Sequence, residues 1–120
     1  MLCLAAAGLL VSLPVTDFTI AWEHTVERIE WQEDYRITVE GLVLTEARIQ
    51  GNGAGMEAGE GAVLQDGWWR WRPELEPLPH IVLARSAAGE WQLCWAGEGC
   101  RGLTALVPGT EPVTLRPCGG

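Results

Sequence analysis

The chain has 120 residues, the length of one domain, and its 48% hydrophobic against 20% charged residues exclude disorder. Fifteen glycines and seven prolines interrupt any long helix, which excludes a helical bundle. Sixteen acidic against eight basic residues give a net charge of −8, a field that repels phosphate backbones and argues against nucleic acid as a partner. Every basic residue is arginine, so chemistry that needs a lysine amine is excluded too.

Residues 1–16 carry no charged side chain and match the apolar core of an export signal in length and composition, short of a spanning helix. They are expected to be a signal-like segment, tethering the chain to a membrane if uncleaved; the basic flank and a clear cleavage site are missing. The alternative is a buried first strand or helix. Residues 17–107 are expected to form the folded domain and residues 108–120 a tail.

From Asp17 onward the apolar residues alternate. Phe18, Ile20 and Trp22 share one face of a first strand, and Ile29, Trp31, Tyr35, Ile37 and Val39 share one face of a second, with Glu33 as an acidic exception. Leu42, Leu44, Ala47 and Ile49 form a third, with a phase slip near Thr45 that reads as a bulge. Residues 51–61 read as a glycine-rich loop. Asp66-Gly67 suits a tight turn between Val63–Gln65 and Trp68–Arg72. Pro73, Pro77 and Pro79 then enforce an extended crossing. Ile81–Ala84 and Trp91–Trp95 read as further strands, and Leu103–Val107 and Val113–Leu115 as short final strands or a loose tail. The expected fold is all-β: a small antiparallel barrel or sandwich of about seven to nine strands after the apolar segment.

Cys94 and Cys100 flank a turn-rich loop and are expected to be bonded across a hairpin. Cys118 is then odd, with Cys3 as its partner only if the N-terminus is retained. The five-residue spacing is not that of a zinc site, and His24 and His80 have no partner at ligand spacing, so no metal or other cofactor is expected. His24 and Glu27 form a candidate acid–base or metal-binding pair, weighed against a polar strand end. Glu23, Glu27, Glu30, Glu33 and Asp34 read as a solvated acidic face, since they lack the ordered spacing of a calcium loop. Gly51–Gly55 is not followed by a helix-forming run, which removes the phosphate-loop reading. Alternation puts Trp69 and Trp71 on one face, expected to be core, and Trp68 with Arg70 and Arg72 on the other, a platform for a partner or sugar unless all these indoles are core. No Ser-His-Asp or Cys-His set assembles, so no catalytic residues are assigned.

His24-Thr25-Val26-Glu27, then Glu33, then Gly53-Ala54-Gly55-Met56, the tryptophans near Trp68, and Trp91-x-Leu93-Cys94 leading to Cys100 give the chain its likeness to a known family. In order and spacing it resembles the bacterial domain of unknown function numbered 1850, over roughly Phe18 to Leu103. The family has no established activity. The resemblance implies a small exported protein encoded beside tripartite transporters that use a TAXI solute receptor. The expectation is therefore a non-enzymatic, periplasmic accessory that contacts the transporter's membrane subunit or its solute receptor. Its candidate contacts are His24, Glu27, Glu33, Gly53, Gly55, Met56 and Trp68. A stand-alone periplasmic small-ligand-binding domain is one alternative, and a metal-assisted hydrolase centred on His24 and Glu27 another.

Overall fold

The structure, a computed structural model, describes residues 1–24, 28–51, 59–86 and 89–119. In chain order its strands are β1 (Leu2–Ala6), β2 (Leu9–Leu13), β3 (Asp17–His24), β4 (Ile29–Thr38), β5 (Gly41–Gln50), β6 (Val63–Gln65), β7 (Trp68–Trp71), β8 (Ile81–Leu83), β9 (Gln92–Trp95), β10 (Gly99–Gly102) and β11 (Val113–Pro117). One helical turn, α1 (Leu103–Leu106), lies between β10 and β11. The strands form a four-stranded sheet in the order β2-β1-β11-β8 and a seven-stranded sheet in the order β10-β9-β3-β4-β5-β7-β6. The two sheets stack as a sandwich, and the larger does not close into a barrel.

The alternation that identifies β3, β4 and β5 sets their register. Phe18 opposes Tyr35, Ile20 opposes Glu33 and Trp22 opposes Trp31. The β4–β5 register slips between Asp34 and Tyr35, where Glu46 and Leu44 are the consecutive partners, so Thr45 is the extra residue of a bulge. Its hydroxyl donates to the Asp34 carbonyl at 3.1 Å. Asp66 and Gly67 both take positive φ, 53° and 84°, the turn expected from that pair. The alternation ends one residue sooner than the sequence implies, for Val39 is fully exposed in the turn after β4.

The ends of the chain depart from expectation. Residues 1–13 are a hairpin built into the fold: β1 pairs with both β2 and β11, and Leu2 and Leu4 are completely buried. The turn is Ala7-Gly8, both at positive φ. Residues 113–117, within the expected tail, form an inner strand of the same sheet, with Val113 and Leu115 completely buried. Cys3 is bonded to Cys118, so the two termini are fastened together. Leu103–Leu106 is helical, not a strand; the Leu103 carbonyl accepts the Val107 amide at 2.8 Å, and both side chains enter the core.

The core fills one end of the sandwich. Leu2, Leu4, Val113 and Leu115 from the small sheet meet Phe18, Ile20, Tyr35, Leu42 and Leu93 from the large one, closed by Leu103 and Val107. The proline-rich crossing after β7 is pinned to the start of β5, where Leu42 and Leu78 exchange backbone bonds at 2.7 and 2.9 Å. Gly41 has φ 134°, and a Cβ there would sit 2.5 Å from the Leu78 carbonyl oxygen, so only glycine allows this approach. Ile29, Ala47 and Ile49 are also buried but lie outside this cluster, toward the other end of the large sheet.

Candidate functional site

At that other end the inner face of the large sheet carries two rows of side chains, because residues directly opposite across antiparallel strands point the same way. One row runs Trp22, Trp31, Ile49, Trp69 and Leu64 across β3, β4, β5, β7 and β6, with Ile29, opposite His24, one step further out on β4. The next runs Leu93, Ile20, Glu33, Ala47 and Trp71. Trp31 and Trp71 meet edge to face with centroids 6.3 Å apart, and Trp22 stands 6.2 Å from Trp91. Gly59 approaches so closely that a Cβ there would lie 2.1 Å from the Trp71 indole nitrogen.

Glu33 is thus a half-buried carboxylate in the middle of an apolar row whose other strand neighbours, Leu93, Ile20 and Ala47, are each no more than 3% exposed. Burial raises its pKa above the ordinary value, and the hydrogen bond from the Tyr35 hydroxyl, 3.2 Å away, only partly opposes this. Burial also raises the Tyr35 phenol far above its ordinary value, helped by the Glu33 charge, so it stays protonated and can only donate to the carboxylate. Among the described residues Glu33 therefore has one fixed donor, Tyr35, and retains acceptor capacity in an apolar, tryptophan-bearing stretch of the sheet. Such a group favours a partner that brings a hydrogen-bond donor or a positive charge.

The outer face of the same strands carries a polar network. Arg48 grips Asp34 through two nitrogens at 2.7 and 2.9 Å, donates to Glu46 at 2.6 Å and, through Nε, to Gln32 at 2.7 Å. Thr19 donates to Asp34 at 2.6 Å and Arg70 to Glu46 at 3.1 Å. Burial opposes the Asp34 charge, but the Arg48 and Thr19 bonds, with the charges of Arg48 and Arg70, outweigh it and hold the carboxyl below its ordinary value. The expected solvated acidic face is therefore divided: Glu33 turns to the inner rows, and Asp34 is locked into the arginine network. Glu23 stays exposed opposite Glu30, which accepts from the Gln32 amide.

Trp68 lies on the outer side of β7, half-buried, opposite Gln50 and Gln65, while Trp69 and Trp71 lie on the inner side, also half-buried. His24 is the last residue of β3, its backbone paired with Ile29; its side chain, and Glu27, Gly53, Gly55 and Met56 altogether, lie outside the described residues. The structure thus places Glu33 and Trp68 on opposite faces of the sheet. Trp31, Tyr35 and Trp71, which share the inner face with Glu33, were legible only as members of alternating strands.

Cys94 and Cys100 are bonded across β9 and β10, as the hairpin spacing requires, and no cysteine is free. Two disulfides in so small a domain are the pattern of an oxidising, exported environment. No described helix is long and apolar enough to cross a membrane, and among the described residues no group of three or more His, Cys, Asp or Glu could hold a metal ion. No curated protein and no solved structure matches the chain. A family model does match, over residues 18–101, a span that contains all but the first residue of β3, the whole of β4 to β9, Glu33 and the tryptophan rows. The chain belongs to the family described as a domain of unknown function, DUF1850.

Proposed function

We propose that the protein is a non-enzymatic, exported binding module, acting in the periplasm, that uses the tryptophan-walled end of its large sheet to engage a tripartite solute transporter of the TAXI-receptor type. The observation that carries the binding role is Glu33, a carboxylate kept in an otherwise apolar row with, among the described residues, a single donor, Tyr35. A charge held at a desolvation cost with spare acceptor capacity is better suited to an incoming donor than to stability. His24 closes the strand beside this region and Glu27 and the loop of Gly53, Gly55 and Met56 are its neighbours in sequence; they are proposed as further contacts. The transporter as partner rests on the family resemblance, and its membrane subunit or solute receptor is the component proposed to touch this face.

The test is solute uptake in a deletion strain complemented with wild type or with Glu33→Gln. Deletion is expected to impair uptake through the companion transporter, wild type to restore it, and Glu33→Gln to restore it poorly although the variant folds. Normal uptake in the deletion strain rejects the transporter role, while full rescue by Glu33→Gln rejects Glu33 as the contact.

A further inference from the structure

The two sheets end in β2 and β8 on the small one and in β10 and β6 on the large. An edge strand presents unpaired backbone groups, and native proteins guard such edges by shortness, by charge or by proline. β6 and β8 have three residues each, and β10 carries Arg101. β2 has five residues, Leu9-Leu10-Val11-Ser12-Leu13, and none of them is charged, proline or glycine. Leu9 is 47% exposed and Leu10 60%. Among the described strands, β2 is the unguarded edge.

The hairpin fixes which backbone groups this edge offers. Its two-residue turn, Ala7-Gly8, makes Ala6 and Leu9 the first hydrogen-bonded pair, and such pairs recur at every second residue. Leu9, Val11 and Leu13 therefore bond to β1, and the amides and carbonyls of Leu10 and Ser12 face outward. Pro14, which has no amide proton, ends this window on one side, and Gly8, at φ 87°, ends it on the other. The window is symmetric about Val11. Laid antiparallel to itself, it sets Leu10 opposite Ser12, Leu9 opposite Leu13 and Val11 opposite Val11.

We propose that β2 pairs with β2 of a second copy of this chain about a two-fold axis at Val11, joining the small sheets of the two copies into one. Each Leu10–Ser12 pair exchanges two backbone bonds, and a shift of register in either direction loses one of those pairs. A lipid interior would leave the outward amides and carbonyls unpaired, and a foreign strand has no need of the symmetry. Each copy carries a net charge of −8, so two copies approach at least cost through a segment without charge, and residues 1–16 hold none. A two-fold contact closes on itself and stops at the dimer. The surface shares no residue with the Glu33 face, so the two readings stand or fall separately.

Sedimentation equilibrium of the full chain, disulfides intact, tests the pairing. Wild type is expected to reach twice the mass of one chain with a Kd of about 100 μM or tighter. Leu10→Glu puts two carboxylates at diagonal positions across the axis, and Leu10→Pro removes an edge amide that the single copy does not use. Each is expected to weaken the dimer at least about tenfold, and Leu10→Glu, at a largely exposed position, to melt like wild type. Wild type that stays monomeric at about 0.5 mM, species that grow beyond the dimer, or a dimer unchanged by a folded variant of either kind would each overturn the proposal. Monomeric wild type that co-sediments with phosphatidylcholine vesicles would overturn it in favour of a lipid-bound edge.

Discussion

Glu33 and Asp34 are consecutive residues of β4, and the pleat sends them to opposite faces and opposite electrostatic fates. Asp34 is held below its ordinary value, near 3.8, by Arg48 and Thr19 against the effect of burial. Its contribution to stability is present above that value and is lost as pH falls through the lower, folded one. Asp34→Asn is therefore expected to cost about 2 kcal/mol at neutral pH, as loss of hydrogen bonds to a charged group does, and to flatten the acid limb of stability against pH in denaturant titrations. Glu33 has the reverse sign: burial raises its folded value, so its proton is held more tightly in the folded state. Its contribution is greatest below the ordinary value of 4.5 and declines as pH rises through the folded one. Glu33→Gln keeps the shape and removes the charge, so its melting temperature at pH 7 should equal or exceed that of wild type. A clear loss of stability would show that the carboxylate serves the fold and remove the reason for assigning it a partner.

The elements differ in how plainly the sequence announces them. β3, β4 and β5 are legible because one face of each is buried and period-two alternation results; even the bulge shows, as the slip at Thr45. Glu33 was visible in the same pattern as the acidic residue on an apolar face, although its neighbours on β5 and β7 depend on strand pairing that sequence alone does not give. β1 and β2 were not legible, since an uncharged run of leucines and alanines has the composition of a leader whether or not it folds. Ala7 at positive φ gave none of the usual turn signal of Asn or Asp. α1 is a single turn, too short to show a helical period. What separates a leader from a hairpin is Cys3, bonded to Cys118 across 115 residues of sequence. Closing so long a loop stabilises by about 4–5 kcal/mol in the chain-entropy account. Cys3→Ser with Cys118→Ser is expected to lose most of that in urea unfolding, and removal of residues 1–16 to prevent folding altogether, because it deletes two of the four strands of the small sheet. A truncated chain that melts cooperatively with native-like circular dichroism would show that β1 and β2 are dispensable.

At the scale of the whole molecule, an apolar core closes one end of a sandwich whose surface carries a net charge of −8. Unbalanced charge of one sign destabilises a compact state through self-repulsion. Lowering the pH from 8 toward the isoelectric point near 4.6 removes that repulsion and also favours the protonated form of Glu33, so both effects act in the same direction. Below about 3.8 the direction reverses, because Asp34 takes up a proton and releases Arg48. The melting temperature is therefore expected to rise from pH 8 to about pH 5 and to fall steeply below pH 3.8. Salt separates the two causes: about 0.5 M sodium chloride shortens the screening distance to a few ångströms and should raise the melting temperature at pH 8 while changing it little at pH 5. The Arg48 side chain is only 13% exposed, so its bonds to Asp34 and Glu46 are screened far less than the surface charges and should not reverse that gain. A melting temperature that is flat from pH 8 to 5, or that salt lowers at pH 8, would mean that local ion pairs, not the summed charge, govern the electrostatic stability of the domain.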